Sequence, residues 1–378
     1  MYIAAVRELR VRPKDAALLP TGELLILSWS GQGLHLAAYD TDLALLWGRP
    51  LGENALGLNV DRQGTPWVLD RSGASAYTPE GDVAGRTEPP ALKAMHVAAL
   101  TFVDDELVFC YQHAPGTPLH PPVLARITPG GAVRWTTTLT TPSIDLERYA
   151  REPRPISLAD YRPRSWVTGY HGAGELTVSG DTLFAVYGDI PASGLSLGYA
   201  ASLTDGALRY TTGGGPIHSV AAHPGGAFLV GYQGYDAFET VLYDRAGNRK
   251  TRWNSHGHYV VETDGVRVIE LENRLPSRSR LVRLNSDGTV TRGDLLEGYY
   301  TSEPYLHRDG TLFFAREGMM IAARGLMIDE RVVIRHRSDS DSYVIHSRVL
   351  GGDEGMFVTY TEGTEGTSDV SGLLRVMA

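Results

Sequence analysis

A single cysteine, Cys110, is all the thiol the 378-residue chain has, so no internal disulfide can staple it. It lies inside the apolar run Leu107 to Tyr111, where a thiol is expected as buried packing and not as a nucleophile. No apolar run approaches the roughly eighteen residues that a membrane-crossing helix needs. The opening Met1-Tyr-Ile-Ala-Ala-Val-Arg-Glu8 carries charges where a secretory leader needs an apolar core. These absences predict a soluble, cytoplasmic protein with no membrane contact. Positive charge is scarce as well. With 35 Lys and Arg against 44 Asp and Glu, the net charge of −9 has the wrong sign for nucleic acid, whose binding depends on counterion release by a basic surface. Also lacking are a Walker A loop, a dinucleotide fingerprint, a Cys-His zinc pattern, a His-Glu-x-x-His helix and a nucleophile elbow.

What the chain has in quantity is turn formers. The 43 Gly and 21 Pro fit many short strands joined by turns, and 42% hydrophobic content is enough for a large core. One pattern recurs: a polar turn with Gly or Asp, then five or six apolar residues. It opens at Gly22, Gly64, Asp105, Asp181, Gly226, Gly265, Gly310 and Gly355. Near-continuous apolar runs of this kind belong to strands buried on both faces. A second element follows most of them, a hairpin whose far strand carries an aromatic residue, as in Gly131 to Trp135, Gly206 to Tyr210, Gly247 to Trp253 and Asp42 to Trp47. Two hairpins per unit make a four-stranded sheet, and repetition at this spacing reads as propeller blades.

This repeat resembles the quinoprotein-like (PQQ-type repeat) β-propeller superfamily, whose outer hairpin has a Gly followed four residues later by Trp. Gly131 with Trp135 and Gly206 with Tyr210 match that spacing. The resemblance implies an all-β, closed propeller over residues 1–378 as one domain, with eight blades. Seven is the alternative count if the short second unit, with Pro66 inside its strand, is no blade. Dehydrogenases of that family commonly carry paired cysteines near the quinone, so with one Cys the quinone chemistry is not carried over. The alternating segment Val6-Arg-Glu-Leu-Arg-Val11 suits an outer strand that closes the last blade.

In propellers the loops before the innermost strand and after the second strand open on one face, over the central channel. Six of the 12 histidines fall where innermost strands should begin: His96, His171, His218, His256, His258 and His346. The densest group is His256-Gly-His258-Tyr-Val-Val-Glu262, whose even positions share one face of a strand and suggest a divalent metal site. The competing reading is a narrow, hydrated channel whose imidazoles bond water and one another. At the ends of the second strands Tyr111, Tyr187 and Tyr232 suggest an aromatic wall and Arg316 an anion holder. Residues 143–170, inserted between blades three and four, bring Arg148, Arg151, Arg154, Tyr161, Arg164 and Trp166, an interface-like composition. The Pro-rich stretch from His113 to Pro122 reads as a fixed rim beside it. The leading expectation is a non-enzymatic scaffold or adaptor, without cofactor, that binds a protein partner through this face. The alternative is a metal- or histidine-assisted hydrolase, lyase or transferase acting on a small anionic substrate at the channel mouth.

Overall fold

The turns predicted from Gly and Asp are built the same way in blade after blade. In one, Asp61 Oδ1 accepts from the backbone N–H of Gln63 and of Thr65, while Gly64 supplies the positive φ of 85° that closes the loop. Asp244 plays the same part between Ala246 and Asn248. Such turns alternate with strands that bury both faces: Leu24, Leu25, Ile26 and Leu27 are each at most 1% exposed. The structure, a computed structural model, describes residues 1–9, 11–30, 33–52, 55–92, 95–113, 123–139, 162–163, 176–188, 196–215, 217–233, 238–255, 257–262, 265–272, 278–297, 302–316, 318–333, 342–352, 355–364 and 370–377. Every regular element among them is a β-strand. No helix among the described residues is long and apolar enough to cross a membrane, which says nothing about strands.

The strands form eight antiparallel sheets in chain order, the eight blades of a propeller. Blade one is Arg12–Leu18, Leu24–Ser30, Gly33–Tyr39 and Leu45–Leu51, from the channel outward. Blade two is shorter throughout: Ala55–Val60, Pro66–Asp70, Gly73–Tyr77 and Val83–Thr87. It is nonetheless a complete blade, and Pro66 stands at the first position of its strand, where a missing N–H is tolerated. Blades three to seven follow the same meander, and the eighth consists of Ser342–Gly352, Gly355–Thr364 and Val370–Met377, with Tyr2–Leu9 as its fourth strand. Tyr2 pairs Met377 and Leu9 pairs Ser371, so the first strand of the chain completes the last blade and closes the ring.

The core is divided into eight clusters, one at each junction between neighbouring blades. Leu25, Leu27 and Leu36 of blade one meet Leu58, Val68 and Tyr77 of blade two. The junction that closes the circle joins Phe357 and Leu373 of blade eight, with Leu9, to Leu24, Ile26 and Tyr39 of blade one. Each fully buried Leu, Ile or Phe contributes about 1.5–3 kcal/mol, so these junctions carry most of the stability.

The outer aromatics act between blades. Trp47 of blade one packs on Gly81 in the turn of blade two, where a Cβ would stand 2.5 Å from the indole, and its Nε1 donates to Pro79 O at 2.6 Å. Trp135 does the same to Gly206 and Leu203 O, and Tyr210 covers Gly247. Trp253 Nε1 donates to Asn285 O. Where the aromatic is missing, another donor takes the post. Thr87 Oγ1 donates to Pro129 O at 2.8 Å, and at ring closure Arg7 donates to Leu43 O at 2.8 Å while its guanidinium lies 5.0 Å from the centre of the Tyr39 ring. Each such bond is worth about 1 kcal/mol, and the buried ring adds more. Removal of residues 1–9 therefore opens blade eight and the closing junction together. The unfolding temperature of the truncated chain is expected to fall by about 10 °C or more in a calorimetric or circular-dichroism melt.

Candidate functional site

Connections from one blade to the next innermost strand, and from second to third strands, open on one end of the ring, the mouth. At this end five innermost strands carry a β-bulge, between Pro13 and Asp15, Ala55 and Gly57, Val97 and Ala99, Ile217 and Ser219, and His346 and Val349. A bulge inserts one unpaired residue and re-aims side chains, so the repetition shapes the channel wall at one level. In blade one the bulged residue is Lys14, whose Nζ donates to Ala55 O of blade two at 2.7 Å. Burial pulls the Lys14 ammonium below its ordinary pKa, against the attraction of Asp15. Asp15 Oδ2 accepts from the backbone N–H of Leu58 at 2.9 Å, a second link between the same two innermost strands.

Two of the three tyrosines expected to form an aromatic wall pack between blades instead. Tyr111 is 3% exposed, packs with Trp67, Leu69 and Phe109 between blades two and three, and donates to Pro90 O at 3.3 Å. Burial drives its phenol pKa far up. Tyr232 packs between blades four and five, with its hydroxyl on Thr212 Oγ1 at 2.7 Å and 3.0 Å from the Tyr243 hydroxyl. Strand alternation points both rings into the junctions, where they fill space between blades. Arg316 is likewise no surface anion holder. It is wholly buried between blades six and seven and donates to Ser279 Oγ.

The His258–Glu262 pairing is corrected by strand geometry. Gly257–Glu262 is extended, so residues four apart stand about 13 Å apart along it. His258, 7% exposed, lies at the mouth end, while Glu262 pairs with Gly265 at the opposite end of the hairpin. The Glu262 carboxylate is held by Arg267 in a bidentate pair of 2.7 and 2.6 Å. Arg267 also donates to Gly310 O and Gly325 O of blade seven. The pair is thus a clamp between blades six and seven, not a metal ligand set. Among the described residues no group of three or more His, Cys, Asp or Glu is placed to hold a metal ion. His96 is half-buried at the mouth end of blade three.

The structure places His113, Tyr187, His218 and His346 in strands at the mouth end, their side chains lying outside the described set. His171, His256, Arg148, Arg151, Arg154, Tyr161, Arg164 and Trp166 lie outside the described residues altogether. The insertion is nevertheless anchored at one point: Arg162–Pro163 pairs with Tyr187 and Gly188, along the edge of Thr182–Gly188 that Leu176–Ser179 occupies nearer the far end. The inserted segment thus returns to the innermost position of blade four at the mouth.

Four features of this end escaped the sequence reading: Lys14, Asp15, the exposed Trp29 and the Asp70–Arg86 pair. The adjacent charges Lys14-Asp15 inside an innermost strand were the available signal, since a buried strand carries few charges without partners.

No protein-family description matches the chain, and no curated protein sequence does. Solved structures share its fold. A europium-containing methanol dehydrogenase superposes with a TM-score of 0.61 at 10% identity, over 99% of this chain and 93% of that one. Quinohemoprotein alcohol dehydrogenase ADHIIG from Pseudomonas putida HK5 gives a TM-score of 0.60 at 10% identity, over 99% and 75%. A puromycin hydrolase gives a TM-score of 0.54 at 13% identity, over 93% of this chain and 58% of that one. The chain therefore has the eight-bladed architecture of the PQQ-type propellers, and at these identities the likeness is one of fold. Cys110, the single cysteine of the chain, is 1% exposed inside the junction of blades three and four.

If Glu262 is a clamp, Glu262→Ala leaves Arg267 charged and buried and destabilises the fold by about 3–5 kcal/mol in a denaturant melt. The double change Glu262→Leu, Arg267→Met recovers most of that loss.

Proposed function

We propose that the protein is a non-enzymatic scaffold or adaptor that receives a protein partner on its mouth face. The observation that carries this reading is the pairing of Arg162–Pro163, two residues of the basic and aromatic insertion 143–170, with the mouth edge of blade four. Arg, Tyr and Trp are the residue types that dominate binding energy at interfaces. A long loop on a rigid frame is the usual place for such a contact. The groups first considered for site chemistry support the same reading, since Tyr111, Tyr232, Arg316 and Glu262 are committed to holding blades together. The test is affinity capture from a lysate of the source cells, using the full chain and a variant with residues 143–170 replaced by a short Gly-Ser linker. A partner held by the first and lost by the second is expected; the same proteins in both eluates would remove the insertion from the interface.

A second reading rests on the repeated bulges and on Lys14, a cation whose charge burial weakens at the channel wall. It is the metal- or histidine-assisted enzyme for a small anionic substrate, with His96 and His258 at the same end. Elemental analysis of protein purified without chelators or affinity metal separates the two. A divalent metal retained near one equivalent after gel filtration favours the enzyme, and a metal-free protein favours the scaffold.

A further inference from the structure

A cavity of 310 Å³ lies between blades one and two, at the lower end of the range for small-molecule sites, about 300–1,000 Å³. Its lining divides by chemistry. Leu51 of blade one, Ala55 and Val68 are apolar, while Asp70, Arg71, Ser75 and Tyr77 carry polar groups. Val68 pairs with Ser75 across the hairpin of blade two, so strand alternation puts Val68, Asp70, Ser75 and Tyr77 on one face. That face is the one turned to blade one, since Val68 and Tyr77 pack there with Leu25, Leu27 and Leu36.

The turn that carries Asp70 and Arg71 is held in place from both sides. Asp70 Oδ1 accepts from Ser72 N at 2.7 Å and Gly73 N at 3.0 Å, and Arg71 O accepts from Val97 N of blade three at 3.0 Å. Arg86 closes on the same carboxylate, donating to Oδ2 at 2.8 Å and Oδ1 at 3.1 Å. Burial pushes the Asp70 pKa up, but Arg86 and Ser72 pull it further down, so the group is held below its ordinary value and stays ionised. Oδ1 also accepts from Ser72 Oγ, whereas Oδ2 accepts only from Arg86 among the described residues and keeps an acceptor position. The donors of the lining are less occupied. The Arg71 guanidinium has no ion pair or hydrogen bond among the described residues, and Ser75 Oγ accepts from Arg86 and keeps its own proton to give. Tyr77 is only 7% exposed, yet its hydroxyl also has no hydrogen bond among the described residues, which is unusual for a buried polar group. Both charges of the Asp70–Arg86 pair act on that phenol, so it lies within their electrostatic reach.

We propose that this cavity binds an α-amino acid with an apolar side chain. The lining offers one group for each end of the zwitterion: the Arg71 guanidinium for the carboxylate, and Asp70 Oδ2 for the ammonium. The hydroxyls of Ser75 and Tyr77 supply further donors to the carboxylate, and Leu51, Ala55 and Val68 receive the side chain. A simple anion would bring its charge to Arg71 beside a carboxylate with nothing to give it. A simple cation would meet a carboxylate that Arg86 already balances, beside a second guanidinium. Only a ligand with both signs on neighbouring atoms answers both residues of the turn. The site uses none of residues 143–170, so it stands or falls apart from the scaffold reading.

The test is isothermal titration of the full chain with L-alanine, L-valine, L-leucine and L-methionine, and with the analogue of each that lacks the amino or the carboxyl group, isocaproate and isoamylamine in the case of leucine. At least one amino acid is expected to bind with a Kd at or below about 1 mM, and both of its analogues about tenfold or more weaker. Arg71→Ala, at an exposed side chain without partners, is expected to keep the melting temperature and weaken that amino acid about tenfold or more. Tyr77→Phe keeps the ring between the blades and is expected to weaken it by a smaller factor. No heat with any of the four amino acids, an analogue that binds as tightly as its amino acid, or unchanged affinity in Arg71→Ala would each overturn the assignment.

Discussion

A blade of this protein has no core of its own. Its two flat faces are apolar and its four strands enclose nothing, so every blade depends on burial against two neighbours, and the circle must close for the first and last to be satisfied. Closure rests on one pairing, Tyr2–Leu9 against Val370–Met377, joining the two ends of the chain by backbone hydrogen bonds in one sheet. Open the circle there and Phe357, Leu373, Leu24 and Ile26, all 1% exposed or less, meet water together. The outer donors work to the same end. Trp47, Thr87, Trp135 and Arg7 each reach a carbonyl in the following blade, so neighbouring sheets cannot slide without breaking a bond. Hydrogen bonding there fixes the angle between blades; area burial supplies most of the energy.

The same logic decides which side chains are available for function. Along a strand alternate residues face alternate neighbours, so in a propeller both faces of every strand except the outermost point into a junction. Tyr111 and Tyr232 come at the ends of apolar runs and resemble an exposed wall in the linear sequence, yet their parity sends them between blades. Arg267 and Arg316 are charged and still at most 1% exposed. For Arg267 the desolvation is offset by a bidentate carboxylate and two carbonyls, which makes it a staple between blades six and seven.

Much of the architecture was legible because it rests on local chemistry. The eight apolar runs, the Asp and Gly turns and the alternating first strand each carry a signal within a few residues, and each proved to be the element expected. The aromatic outer strands were legible as a repeat but not in their role, because Trp135 acts on Gly206 and Leu203, some seventy residues away in the next blade. Site chemistry was less legible for the same reason. His258 and Glu262 share a strand face, which the spacing does say, but the rise along a strand separates them to opposite ends of the blade, and the carboxylate's partner Arg267 lies on the neighbouring strand.

Variation among blades is where a repeat fold makes room for binding. Blade two shows how such variation arises: its second strand ends at Asp70 and the chain returns at Gly73, so its strands are five or six residues long against seven in blade one. Pro66 at the start of a strand and the return from Asp70 to Gly73 are the local causes, and both were visible as irregularities in the repeat. The Asp70–Arg86 pair at that end joins residues sixteen apart through two hydrogen bonds, so it exists only once the strands of blade two are paired.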